Sequence, residues 1–147
     1  MNDRYLYRAK RKNWRELPKE MWWVEGYLYG IWERRYILWG MTNDVPNMVE
    51  VDPSTICQCT GLKDKNGKLI WENDICRRAL LPTKRIKTNF KIAYVPYKCC
   101  ISAIDLDGSN ITFLSDYINN KYKVEVIGNI FDNKELLERE DKDENNY

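Results

Sequence analysis

Thr60-Gly61-Leu62-Lys63-Asp64-Lys65-Asn66-Gly67-Lys68-Leu69-Ile70-Trp71-Glu72-Asn73-Asp74-Ile75-Cys76 decides the fold class of this chain. It reads as strand, turn, strand. Asp64-Lys65-Asn66-Gly67 is the strongest turn signal in the sequence. Gly67 can take the positive φ that closes a hairpin, and the Asp64 carboxylate can accept from backbone N–H groups further along. Asn73 belongs to the residue types that enter left-handed backbone most readily, so a second bend is expected between Glu72 and Asp74.

Outward from that hairpin, short strands recur with turns roughly every eight to twelve residues. Strands are expected at 5–9, at 21–30 with Gly26 as a bend or bulge, and at 35–39 ended by Gly40. Residues 43–47 read as a turn, 48–51 and 54–60 as strands, and 69–71 and 74–78 as the strands after the hairpin. Residues 80–88, with Pro82, read as a loop. Strands follow at 89–95, 99–104 and 110–114, the last two joined by Asp107-Gly108-Ser109-Asn110, and a final strand at 124–130. A helix is expected next: Asp132 at N-cap with Glu135 three residues on has capping-box spacing, and Phe131 and Leu136 hold the staple positions.

The expected fold class is therefore α+β, mainly β: a strongly bent antiparallel sheet or small barrel with a C-terminal helix. Three segments are expected: a β-rich aromatic stretch at 1–47, a core with its closing helix at 48–139, and an acidic, disordered tail at 140–147.

Composition supports strands. Aromatic residues make up 13% of the 147 residues, with six Trp and ten Tyr, and such residues suit a pleated, half-buried surface. So many rings exceed what one small core hides, so part of Trp22, Trp23, Tyr27, Tyr29, Trp32, Tyr36 and Trp39 is expected on an outer face that self-associates. Net charge is only +2, but basic residues gather in the first twenty positions and between Arg77 and Lys98. Acidic ones gather in the tail. No stretch has the apolar length to span a bilayer or serve as a signal peptide.

The stretch 60–68, followed by Ile70, Glu72 and Asp74, and the later block Val126-Ile127-Gly128-Asn129 resemble the two signature segments of the YopX family of phage and prophage proteins. Trp23-x-x-Gly26-x-Leu28 also occurs near the start of such relatives. The similarity covers 48–76 and 124–138, is weak over 1–47 and is nearly absent over 79–123. Relatives carry Glu-Gly-Asp where this chain has Glu72-Asn73-Asp74, which implies a preserved bend. The resemblance implies a β-rich domain that assembles into homo-oligomers in a bacterial cytoplasm. Thr60, Gly61, Asp64, Gly67, Glu72, Asp74, Gly128 and Asn129 are its structural motif residues.

Histidine is absent, which removes the commonest general base near neutral pH and rules out Ser-His or Cys-His nucleophiles. Chemistry would have to rest on Asp64, Glu72 and Asp74, whose alternative role is to satisfy backbone donors. Asp64, Gly67 and Glu72 fail the spacing of a calcium loop. Cys57, Cys59, Cys76, Cys99 and Cys100 lack the paired Cys-x-x-Cys knuckles of a zinc site and are expected to be reduced thiols, so no metal and no cofactor is expected. Arg77, Arg78, Lys84, Arg85 and Lys87, near Phe90, Tyr94 and Tyr97, could track phosphates with rings available for stacking. The leading expectation is a non-enzymatic, oligomeric interaction module. Nucleic-acid binding through the basic segment is the alternative, and a carboxylate-based enzyme ranks third.

Overall fold

In the computed structural model, residues 3–80, 87–106, 111–119 and 122–138 are described. The chain divides into two compact units, Met1–Gly61 and Leu62–Tyr147.

The first unit contains β1 (Tyr7–Lys10), β2 (Trp23–Ile31), β3 (Arg34–Thr42), β4 (Val45–Val51) and β5 (Cys57–Lys63), in the antiparallel order β4-β3-β2-β1-β5. β2 is its pivot. Up to Gly26 it pairs with β1, and from Tyr27 it pairs with β3. A Cβ at Gly26 would lie 1.9 Å from the Leu38 carbonyl oxygen, so this change of partner requires glycine. One face of the sheet packs Ala9, Val24, Ile37 and Val51 with Tyr7, Leu28, Val49 and Ile56 into a core.

Two local expectations are corrected here. The turn foreseen over 43–47 is confined to Asn43 and Asp44, at φ 50° and 63°. They form the two-residue loop between the paired Thr42 and Val45, with the left-handed pair that matches strand twist. Val45, Pro46 and Asn47 belong to β4, at the margin of the sheet order, where a proline costs no ladder bond. The strand foreseen over 54–60 begins only at Cys57. Pro53–Thr55 is a 3₁₀ turn because the Asp52 side chain accepts the Ser54 N–H and Pro53 supplies a helical φ.

β5 runs on past Gly61 into the second unit, where β6 (Leu69–Trp71) hydrogen-bonds to it. There, β7 (Asp74–Leu80), β8 (Lys87–Val95), β9 (Cys100–Asp105), β10 (Ile111–Phe113) and β11 (Tyr122–Asn129) form an antiparallel sheet in the order β10-β9-β8-β7-β11. Cys76, Phe90, Ile92, Ala103 and Val124 pack with Ile70 and with Leu114 and Tyr117 of α1 (Leu114–Asn119). The Phe90 and Tyr117 rings meet edge to face at 5.0 Å.

The chain is mainly β, but the barrel and closing-helix expectations do not hold among the described residues. The second sheet is open, with β10 and β11 at its margins. Where a C-terminal helix was expected, Lys134–Leu137 forms a 3₁₀ turn whose N-cap is Asn133, with no side-chain cap bond. The physical reason is competition. Asp132 Oδ2 instead accepts from Asn129 Nδ2 at 3.3 Å, and Asn133 Oδ1 accepts the Asn129 N–H at 3.1 Å. α1 itself was not foreseen: the strand ends at Phe113, and Leu114 starts the helix. No helix among the described residues is long and apolar enough to cross a membrane. The expected turn 107–110 and tail 140–147 lie outside the described residues.

Candidate functional site

The signature hairpin is held by its own carboxylate. Asp64 Oδ1 accepts the Asn66 N–H at 2.8 Å and the Lys68 N–H at 2.9 Å. Its Oδ2 accepts the Val126 N–H of β11 at 3.0 Å, and next to it the Lys65 N–H donates to the Val124 carbonyl at 2.8 Å. Gly67, at φ 79°, closes the turn with its N–H on the Asp64 carbonyl. The two signature blocks therefore meet, and the turn occupies hydrogen-bonding positions along the margin of β11 that would otherwise invite another strand. Burial pushes the Asp64 carboxyl up. The N–H donors of Val126, Lys68 and Asn66, with the Lys68 charge, outweigh it and hold the group below its ordinary value.

The second carboxylate is spent in the same way. Asp74 is 1% exposed, and its Oδ2 accepts the Trp71 N–H at 2.8 Å. Between them, Asn73 adopts φ 69°. Its N–H donates to the Ile92 carbonyl of β8 and its carbonyl accepts the Ile130 N–H, tying the bend to β8 and to the residue that follows β11. Glu72 is half-buried beside it. Thr60 and Gly61 lie on β5, Gly61 at φ 77°. In the closing block, a Cβ on Gly128 would stand 2.5 Å from Asn133 Oδ1. Asn129 Oδ1 in turn accepts the Phe131 and Asp132 N–H groups at 3.0 and 2.9 Å. These polar groups shape backbone.

The basic residues of β7 are also engaged. Arg77 Nε donates to Asn89 Oδ1 at 3.2 Å. Arg78 Nε donates to Thr88 Oγ1 at 2.7 Å, its Nη2 lies 3.5 Å from Asp105 Oδ2, and its Cζ lies 4.2 Å from the Tyr117 ring centroid. Lys87 begins β8, while Lys84 and Arg85 lie outside the described residues. Cys57, Cys59 and Cys76 are buried, and burial pushes the Cys59 thiol up. Cys99 is exposed and Cys100 half-buried. Among the described residues no group of three or more Cys, Asp or Glu side chains could hold a metal ion.

The first unit holds two further features, the first of which reading the sequence did not bring out. Lys10 is 2% exposed, and its Nζ sits 3.9, 4.3 and 5.5 Å from the ring centroids of Trp14, Trp22 and Trp23. Trp14 donates to Asp52 Oδ2 and Trp22 to the Leu17 carbonyl, which fixes the ring positions. This caged ammonium uses part of the aromatic surplus internally. The available signal was three Trp within thirteen positions of a strand-borne lysine.

The second feature is an open apolar face. Cross-strand pairing puts Tyr27 beside Leu38, Tyr29 beside Tyr36, Ile31 beside Arg34, and Leu38 beside Met48. Tyr27, Tyr29, Ile31, Met41 and Met48 are between 40% and 63% exposed, and Trp32, in the β2–β3 turn, is 94% exposed.

No curated protein matches the chain. A family model described as YopX protein matches residues 7–138, which includes both signature blocks and the sheets that carry them. The chain belongs to the YopX family.

Proposed function

We propose that this protein is a non-enzymatic accessory module of phage or prophage origin, acting in a bacterial cytoplasm through protein contacts that include self-association. The open face of β2, β3 and β4 carries this reading. It clusters Tyr27, Tyr29, Trp39, Met41 and Met48 at the surface, the aromatic and methionine enrichment typical of contact surfaces. The signature carboxylates support a non-catalytic role, since Asp64 and Asp74 already accept backbone N–H donors. An acid or base committed in this way is poorly placed to exchange protons with a substrate.

The test is mass in solution. Light scattering at micromolar concentration should give a stable oligomer, and Tyr29→Glu or Met48→Glu should shift it toward monomer. A strictly monomeric native chain overturns the reading. The nucleic-acid alternative would rest on Lys84, Arg85 and Lys87, because Arg77 and Arg78 have partners of their own. Binding to an oligonucleotide that falls steeply with salt would favour it over self-association.

A further inference from the structure

We infer that Cys99 and Cys100 form a redox-responsive vicinal dithiol, in which Cys99 takes up a low-molecular-weight disulfide and Cys100 resolves the adduct. The inference stands apart from the self-association reading. Placement separates these two thiols from the other three. Cys57, Cys59 and Cys76 are buried, whereas Cys99 is exposed and Cys100 half-buried. An accessible thiol with a second one beside it to resolve its adduct is the arrangement of redox-sensing cysteines.

The fold presents the pair at a turn. Pro96–Lys98 is a 3₁₀ turn between β8 and β9, and Val95 and Cys100 pair at the end of that ladder. Cys99 closes the turn at φ 53° and ψ 32°, with its N–H on the Pro96 carbonyl at 3.1 Å. Glycine or asparagine ordinarily fills such a left-handed position, so turn geometry gives no reason for cysteine here. Neither sulfur is tightly held. Cys99 Sγ donates to the Pro96 carbonyl and Cys100 Sγ lies beside Ser102 Oγ, each at 3.4 Å. Thiols are weak donors, so a change of side-chain rotamer releases both. Neighbouring Cα atoms stand about 3.8 Å apart, under the about 4.4 Å at which ordinary disulfides begin. A link between the two is therefore strained and readily reduced, which suits a reversible switch and not a permanent staple.

The chemistry is two successive exchanges. The Cys99 thiolate attacks one sulfur of the small disulfide, forms a mixed disulfide and expels one thiolate, which takes up the proton Cys99 gave up. The Cys100 thiolate then attacks Cys99 Sγ, breaks the mixed bond and expels the second thiolate, which is protonated in the same way. Two protein thiols are oxidised to one disulfide, and the small disulfide is reduced to two thiols.

Intact-mass spectrometry of the full chain incubated with glutathione disulfide, beside Cys99→Ser and Cys100→Ser, tests this. The native chain should lose two hydrogens at monomer mass with no lasting adduct, and regain them when reduced glutathione is added. Cys100→Ser should stop at one glutathione, mapped to Cys99. Cys99→Ser should react at least about tenfold more slowly than the native chain, because its remaining thiols are less accessible. Cys57, Cys59 and Cys76 should stay unmodified throughout, which reports that each variant is folded. A native chain that keeps its glutathione as Cys100→Ser does overturns the inference, since Cys100 then resolves nothing. So does Cys99→Ser reacting within about twofold of the native rate, or a disulfide that forms only between chains on a non-reducing gel.

Discussion

The Asp64 carboxylate accepts the Val126 backbone N–H at 3.0 Å, joining residues 62 positions apart in the chain. One side chain thus closes a hairpin and fixes that hairpin to the last strand. Asp64→Asn keeps the shape but removes the charge and can turn an amide N–H₂ toward a backbone donor. It should lose about 2–4 kcal/mol, since hydrogen bonds to a charged acceptor are the stronger ones and an abandoned donor adds its own cost. Urea unfolding of the two proteins measures it. A loss under about 1 kcal/mol would mean the turn holds without its carboxylate.

The same contact sets a pH dependence. Asp64 sits below its ordinary value when folded, so the folded state binds its proton less readily than the unfolded chain. Its stabilisation is full above the unfolded value of about 3.9 and is lost as pH falls through the lower folded value. The stability gap between native protein and Asp64→Asn should be constant from about pH 5 to 7 and narrow below about pH 4. Asp52 shifts the same way: burial opposes the shift, but the Ser54 and Trp14 donors and Arg15 prevail. A gap that stays constant down to about pH 2.5 would contradict the assignment.

Asn73 adopts φ 69°, left-handed backbone that glycine enters freely. Alanine lacks the short polar side chain that makes left-handed backbone tolerable, so Asn73→Ala should cost about 1–2 kcal/mol. Asn73→Gly should stay within about 0.5 kcal/mol of native, because relief of strain offsets the added freedom of the unfolded chain. Equal losses for both variants would show that the side chain, and not the bend, is what matters.

Turn chemistry was legible in the sequence because it is local. Asp64, Gly67 and Asn73 each declare a backbone need within a few residues, and Gly26 marked the corner of β2. α1 was not legible: six residues make under two turns, too short for the spacing of Leu114, Tyr117 and Ile118 to declare a period. The capping-box spacing at Asp132 was present, yet the Asn129–Asn133 contact won the same groups. Arg78 reads as a free surface charge until register sets it opposite Thr88, with Asp105 within reach. Which way Lys10 faces is likewise a property of residues 11–22, whose Trp14 and Trp22 rings cover its ammonium.

Gly128 and Asn133 form a pair in which one residue exists to admit the other. Gly128→Ala drives a methyl to 2.5 Å from Asn133 Oδ1 and displaces the oxygen that accepts the Asn129 N–H. It should cost about 1–3 kcal/mol. In Asn133→Ala the obstruction is already gone, so adding Gly128→Ala should cost clearly less than it does alone. Additivity within about 0.3 kcal/mol would show that the two do not interact.

The Lys10 cage predicts a spectroscopic signature as well as a stability change. Its ammonium and methylene stem fill the space between Trp14, Trp22 and Trp23, and the side chain is 2% exposed. Lys10→Ala leaves a cavity there and removes the cation that draws the indoles together, at about 2–4 kcal/mol. The Trp14 and Trp22 rings should then loosen toward water while the core of Ala9, Val24, Ile37 and Val51, on the other face of the sheet, stays packed. Tryptophan emission should move to longer wavelength at temperatures where far-ultraviolet circular dichroism still reports native strands. Unchanged emission in a folded Lys10→Ala protein would show that the three rings hold their places without the charge.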